Sequence, residues 1–127
     1  MTNEEIVKQF FERYNSGDVK GATSLFHDEI DYWIAGSLPI SGSKNCREIS
    51  LGFKMLKRSF KELTFFIHET VSEGDKISVV VESKGIHQNG KNYNNHYHFF
   101  YKIKDDKIIQ AKEFLDTALA GWVESKD

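Results

Sequence analysis

The sequence predicts a single α+β domain in which three N-terminal helices pack against one antiparallel sheet. Up to Phe60, apolar residues recur at the three- and four-residue spacing of a helix. Beyond Phe60, apolar and polar residues alternate with the period of two that is typical of strands. The length of 127 residues suits one hydrophobic core, so we expect residues 1–127 to form one domain.

The helices are predicted from their start signals and their apolar spacing. Thr2-Asn3-Glu4-Glu5 is a capping-box pattern that opens the first helix, and Asn15-Ser16-Gly17 ends it. Asp18 is suited to cap a short second helix, and Ser43 a third. The predicted apolar positions of the first and third helices are Ile6, Val7, Phe10, Phe11, Tyr14, Cys46, Ile49, Phe53, Leu56 and Phe60.

The strands follow from alternation and from turn signals. The segment EIDYWIAG reads as a short strand that runs into a Gly/Ser/Pro loop. Four longer strands are predicted after the helices: ELTFFIHETV, KISVVVESKGIH, NYNNHYHFFYKIK and KIIQAKEFLDTAL. Asn89-Gly90 is a strong signal for a two-residue hairpin turn, and Asp105-Asp106 marks another turn.

Composition excludes several classes of function. A net charge of −2 with interleaved Lys and Glu offers no basic stripe for nucleic acid. The lone Cys46 excludes an intramolecular disulfide and a cysteine-based metal cluster. The polar start and the lack of a long apolar run favour a cytoplasmic protein with no membrane segment.

Aromatic residues are abundant, with ten Phe, five Tyr and two Trp. This content suits a thick core or a lined cavity, since each ring buries a large area. The strand segments VVV and HFFYKI are apolar on both faces, so the outer face of the sheet also needs cover. We therefore expect a homodimer formed through the sheet face.

Glu113 is the leading candidate for a functional residue. It shares one strand face with Ile109, Ala111 and Leu115, where the pattern calls for an apolar residue. An ionised carboxylate on an apolar face is costly unless it is paired, hydrogen-bonded or placed at a cavity. The bland alternative is a solvated Glu at the rim of the sheet.

His96 and His98 alternate with Tyr97, so both histidines face one side of their strand. This i, i+2 spacing can chelate a metal, but the sequence offers no obvious acidic partner. We expect exposed or dimer-facing histidines and no metal site, and we find no cofactor motif in the chain.

The segments FFERYNSGD, ATSLFHDEIDYWIAG and DKIIQAKEFLDTALA, together with the Asn-Gly hairpin, resemble the nuclear transport factor 2-like superfamily. Within it, the chain is similar to the SnoaL-like branch, the relatives of ketosteroid isomerases, polyketide cyclases and limonene epoxide hydrolases. The resemblance implies a strongly curved, cone-shaped sheet, a cystatin-like roll, that encloses a cavity for an apolar or aromatic small molecule. It also implies a dimer.

The resemblance can be carried over residue by residue. The base and the two proton donors of ketosteroid isomerase fall on Ile34, Phe10 and Phe99, none of which transfers protons. The two Asp and the Tyr of limonene epoxide hydrolase fall on Glu82, Glu113 and Tyr32. Its Arg and Asn fall on Val80 and Ile34, so the bridging cation is lost. Without that cation, two neighbouring carboxylates would repel and the pKa of one would rise.

The resemblance thus implies catalytic roles for Glu113, Glu82 and Tyr32. Only the resemblance turns Glu82 inward, since alternation along its own strand turns it to solvent. The expected pocket lining is Phe10, Ile34, Phe53, Leu56, Val80, Tyr97, Phe99, Ala111 and Leu115.

Three functions fit the sequence. The first is a cofactor-free isomerase, cyclase or hydrolase that uses carboxylate acid–base chemistry on an apolar small molecule. The second is a non-catalytic binding protein for a small ligand. The third is a protein–protein interaction scaffold, which predicts a filled interior and a large exposed apolar patch.

Overall fold

A computed structural model describes residues 1–126 as one curved, unclosed six-stranded sheet with four helices. The elements in chain order are α1 Asn3–Asn15, α2 Val19–Thr23, β1 Phe26–Ile34, β2 Gly42–Lys44, α3 Cys46–Ser59, β3 Phe60–Glu73, β4 Lys76–His87, β5 Asn92–Lys104, β6 Lys107–Leu115 and α4 Thr117–Glu124. The predicted α+β class and the predicted curvature are confirmed.

The sheet has the strand order β2-β1-β6-β5-β4-β3. All neighbouring strands are antiparallel except β1 and β6, which pair in parallel. This parallel pairing places Ile34 beside Glu113 and Tyr32 beside Ala111. The first strand after the helices and the last strand of the sheet therefore meet at its middle.

The N-terminal signals act as predicted in α1 and differ in α3. Thr2 accepts from the Glu5 backbone N–H and closes the predicted capping box. In α3 the cap is Asn45, which accepts from the backbone N–H of Glu48. Ser43, the predicted cap, lies in the short strand β2. Asn45 and Glu48 form the same Asx-x-x-Glu capping pattern, two residues later than expected.

The two predicted turns have different outcomes. Asp105 and Asp106 both have positive φ, at 53° and 59°, and directly join β5 to β6 as a two-residue turn. At Asn89-Gly90 the strands end earlier, at His87 and Asn92, so the connection is four residues long. The Asn89 amide leaves the hairpin to donate to the carbonyl of Val123 in α4.

Helix α4 corrects the prediction that the last strand continues to Leu119. Asp116 ends the strand because its side chain accepts from the backbone N–H of Leu119 and caps α4. A second difference lies in β6, where a register shift opposite Lys102 and Ile103 buries Ile108 in place of Ile109.

The core lies between the helices and the concave face of the sheet. Strands β4 and β5 turn alternate residues inward, including Val79, Val81, Tyr97 and Phe99. Aromatic rings fill the space between layers: Phe53 of α3 packs 5.2 Å from Phe10 between ring centroids. In the part of the chain that the structure describes, no helix has the length and apolar character needed to cross a membrane. A cytoplasmic location stays a prediction.

Candidate functional site

Glu113 lies in the interior, as its position on the apolar face of β6 predicts. Only 9% of its surface is exposed, and it pairs across the sheet with Phe99 on β5. One carboxylate oxygen, Oε1, accepts a hydrogen bond of 2.5 Å from the Tyr32 hydroxyl. Tyr32 is fully buried on β1, and the parallel pairing of β1 with β6 brings the two side chains together.

Burial changes the acidity of this pair. It raises the pKa of Glu113 from its ordinary value of 4.5 to about 7, and the Tyr32 hydrogen bond pulls it back only in part. The pKa of Tyr32 is raised well above 10 by burial and then by the Glu113 charge. Near neutrality, Glu113 therefore exchanges a proton readily while Tyr32 stays protonated and donates.

The second oxygen of Glu113, Oε2, makes no hydrogen bond to residues 1–126. Within that range, every fully enclosed polar side-chain atom has a hydrogen-bond partner. Oε2 is therefore not fully enclosed, and it provides the small exposed fraction that Glu113 keeps. This oxygen is available to a small molecule, whereas Oε1 is occupied by Tyr32.

A chain of polar side chains continues along the interior from β4 to the start of α4. The hydroxyl oxygens of Ser83 and Tyr97 are 3.0 Å apart, as are those of Tyr97 and Tyr93. The Asn95 amide donates to the Tyr93 hydroxyl and to the Asp116 carbonyl. All four side chains are buried, and they place hydrogen-bonding groups on the same sheet face as Glu113.

The chain of polar groups was absent from the predicted site except for Tyr97. Alternation along NYNNHYHFFY puts Tyr93, Asn95, Tyr97, Phe99 and Tyr101 on one face, and this signal could have found them. Ser83 is inward because it continues the buried alternation of Val79 and Val81. A polar residue in an otherwise apolar inward series marks these positions, as it marked Glu113.

Glu82 requires a correction, because the structure turns it to the outer face of the sheet. Its carboxylate oxygens contact Nε2 of His68 at 2.9 Å and Nδ2 of Asn94 at 2.7 Å. The hydrogen bonds from Asn94 and then His68 lower its pKa. The physical reason is the period of two: Val81 and Ser83 are buried, so Glu82 between them points outward.

Val80 is corrected with Glu82, since it lies on the same outer face and is 40% exposed. The other predicted lining residues face the interior: Phe10, Ile34, Phe53, Tyr97, Phe99 and Ala111 are buried, and Leu56 and Leu115 are partly buried against the same core. Two carboxylates therefore do not share a site. The raised pKa of Glu113 comes from burial and not from repulsion by Glu82.

The histidines of β5 also lie on the outer face. His96 approaches Glu82 at 3.7 Å, and His98 contacts the Ser78 hydroxyl. Across residues 1–126, no group of three or more His, Cys, Asp or Glu side chains is placed to hold a metal ion.

The arrangement of these elements is found in known structures. TerC, co-crystallised with polyporic acid, superposes with a TM-score of 0.82 at 17% identity, over 97% of this chain and 98% of that chain. IdmH from Streptomyces antibioticus, described as a candidate polyketide cyclase, superposes at 0.82 with 14% identity, over 94% and 95%. A protein of unknown function from Burkholderia pseudomallei, described as nuclear transport factor 2-like, superposes at 0.85 with 14% identity, over 97% of both chains.

Sequence comparison is more selective than superposition. No curated protein matches the sequence. The sequence model of the SnoaL-like domain, in contrast, matches residues 7–111, which run from the first helix to the middle of β6. The match covers most of the chain and includes Tyr32 and the strands that surround Glu113, so this chain belongs to the SnoaL-like domain family.

Proposed function

We propose that this protein is a cofactor-free enzyme that moves a proton on an apolar or aromatic small molecule, with Glu113 as the acid–base residue. The observation that carries the proposal is a buried carboxylate whose pKa of about 7 lets it give and take protons near neutrality. Isomerases and cyclases acting on carbon acids need this step. TerC, a structure of similar fold, was crystallised with polyporic acid, an aromatic small molecule.

Each side chain has a distinct part in the proposed step. Glu113 Oε2 removes a proton from a carbon next to a carbonyl group of the substrate, and the electron pair of that bond moves to the carbonyl oxygen. Tyr32 does not touch the substrate: its hydroxyl holds Oε1 and fixes the direction of the carboxylate. Aromatic neighbours exclude water, which keeps the carboxylate basic. Glu82 has no part in this step because it lies on the other face.

Proton exchange on 2-tetralone in D₂O tests the proposal. We expect the wild type to speed deuterium incorporation next to the carbonyl, measured by proton NMR, and the rate to rise with pH through about 7. Glu113→Gln should lower this rate by about 100-fold or more, since a general base contributes at least that much. Glu62→Gln, on the exposed face of β3, is the control and should keep the wild-type rate. Equal rates for Glu113→Gln and wild type would refute the proposal.

A non-catalytic binding protein is the second candidate. It is favoured by the enclosure of the site, where Tyr32 is fully buried and Glu113 nearly so. The same two variants separate the candidates. A ligand that binds wild type and Glu113→Gln equally tightly, with no exchange by either, would establish binding without catalysis.

We also propose that the protein forms a homodimer through the outer face of the sheet. Phe66, Val80 and Phe114 are each at least 40% exposed there, and two shallow grooves of about 400 and 360 Å³ lie on this face, at Phe66 and Phe100. A patch of this kind on one sheet face is typical of an interaction surface. A second copy of this chain would cover it with the same residues, as in a two-fold symmetric interface.

Sedimentation measures the dimer directly. We expect wild type to sediment as a dimer and Val80→Lys to shift towards monomer, because a charge would be buried at the centre of the interface. Leu51→Lys, on the exposed side of α3, is the control and should leave the mass unchanged. A monomeric wild type would contradict the dimer and leave the exposed face to a different protein partner, as a scaffold requires.

A further inference from the structure

Tyr101 differs from the other buried tyrosines in its hydrogen bonding. Only 1% of its surface is exposed, yet its hydroxyl makes no hydrogen bond to any part of the described chain, residues 1–126. Tyr14 donates to the Phe53 carbonyl, Tyr32 donates to Glu113, and Tyr93 and Tyr97 bond to each other. Four of these five phenols are thus satisfied by the protein itself, and Tyr101 is not.

The surroundings of this hydroxyl are not closed. Because every fully enclosed polar side-chain atom in residues 1–126 has a partner, the Tyr101 hydroxyl must border accessible space, as Glu113 Oε2 does. A buried hydroxyl without a partner is costly, so it is rare unless something else accepts its proton. The unpaired donor therefore indicates a position where a ligand atom would be held.

Tyr101 and Glu113 face the same interior region. Phe99 pairs with Glu113 across the sheet and Tyr101 pairs with Ala111, which makes Tyr101 and Glu113 diagonal neighbours on one face. The Tyr101 ring stacks on Phe99 with centroids 5.6 Å apart and planes at 8°, which fixes its direction. The Glu113 charge adds to burial in raising the pKa of Tyr101, so this phenol stays protonated and can only donate its proton or accept a bond.

We propose that Tyr101 is a ligand-binding residue whose hydroxyl donates to an acceptor oxygen, a carbonyl or an ionised enol, on the small molecule that Glu113 deprotonates. The site would thus select molecules by an oxygen that lies close to the exchanging proton, and not by apolar shape alone. This inference deepens the proposed function and rests on it for the position of the reacting proton. Recognition of the oxygen belongs to Tyr101, and proton transfer belongs to Glu113.

The test compares the affinities of 2-tetralone and tetralin, which share a bicyclic frame and differ in the carbonyl oxygen. Titration calorimetry should give wild type a preference of about tenfold for 2-tetralone, the size of one hydrogen bond. Tyr101→Phe should bring the ratio of the two affinities close to one. Its melting temperature should not fall, because the lost hydroxyl had no partner in the protein.

Tyr14→Phe is the matched control, since it removes a buried phenol hydroxyl that donates to the Phe53 carbonyl at 2.7 Å. It should lower the melting temperature and keep the tenfold preference. The inference is overturned if wild type shows no preference for 2-tetralone, including binding of neither probe, or if Tyr101→Phe keeps the preference. It is also overturned if Tyr101→Phe loses as much melting temperature as Tyr14→Phe, because the hydroxyl would then be structural.

The two tests fail separately. Deuterium exchange by Glu113→Gln judges the proposed chemistry, and the affinity ratio judges Tyr101. A lost preference in Tyr101→Phe together with unchanged exchange in Glu113→Gln would keep the binding role and refute the acid–base role.

Discussion

At the scale of single residues, burial of one carboxylate explains the chemistry that the site can support. A Glu on the surface has a pKa near 4.5, and its proton is gone at neutral pH. Glu113 is surrounded by rings and by Tyr32, so its charged form loses solvation and keeps a single hydrogen bond. One hydrogen bond does not replace a full hydration shell, and the pKa of Glu113 stays high for that reason.

The raised pKa of Glu113 predicts a definite dependence of stability on pH. Between about pH 4.5 and 7 the unfolded chain has released the Glu113 proton while the folded protein still holds it, so stability falls as pH rises through this range. The full loss, about 3 kcal/mol by the 1.4 kcal/mol per pKa unit relation, is present above pH 7. Urea unfolding of Glu113→Gln should therefore show a flatter profile, with a gain over wild type at pH 8 and little difference at pH 4. Parallel profiles for the two proteins would contradict the prediction.

The sequence alone indicated Glu113 and missed its neighbours for a simple reason. A charge in an apolar series stands out, but Tyr101 and Tyr97 fit an aromatic strand whether or not their hydroxyls are used. Tyr32 was placed by resemblance and is inward in the structure, whereas Glu82 was placed by resemblance and is outward. For Glu82 the alternation of its own strand was the better guide, because side chains on one strand cannot change face without a bulge.

At the scale of elements, local signals predicted the start of α1 and the long strands, and long-range contacts decided the rest. The end of β6 is an example, since DTALA can continue a strand or start a helix. Helix α4 forms because Asp116 caps it and because the β4–β5 hairpin holds its far end. The Lys91 ammonium donates to the carbonyls of Trp122 and Ser125, and Asn89 donates to that of Val123. None of these partners is close in sequence.

The cap of α4 gives a prediction for this element. Asp116→Ala removes the bond that its side chain accepts from the Leu119 N–H and should cost about 1 kcal/mol. Amide hydrogen exchange within α4 should then become roughly fivefold faster. Asp18→Ala removes the equivalent cap of α2, where Asp18 accepts from the Gly21 N–H at 2.8 Å, and should speed exchange in α2 alone. Unchanged exchange in α4 of Asp116→Ala would mean that the hairpin contacts suffice without the cap.

At the scale of the whole molecule, the helices and the sheet are joined through aromatic rings, and the candidate site uses the same rings. Phe53 of α3 contacts Phe10 and Tyr14 of α1 and Phe26 and Tyr32 of β1, with centroid distances of 5.2 to 5.9 Å. The aromatic content of the sequence predicted a thick core or a lined cavity, and these contacts show the rings packed together. The stability of the fold and the environment of Glu113 are therefore coupled.

Phe53→Ala tests this coupling. Removing the ring should cost about 3–5 kcal/mol of unfolding free energy, the range found for buried Phe, because it leaves unfilled space between α1, α3 and β1. The same space admits solvent beside Tyr32, so the pKa of Glu113, followed by carbon NMR of its carboxyl group, should fall from about 7 towards 4.5. Leu51→Ala on the exposed side of α3 should change neither quantity appreciably. A large loss of stability with an unchanged Glu113 pKa would show that the core and the site are independent, since desolvation by the rings could not then be the cause of the raised pKa.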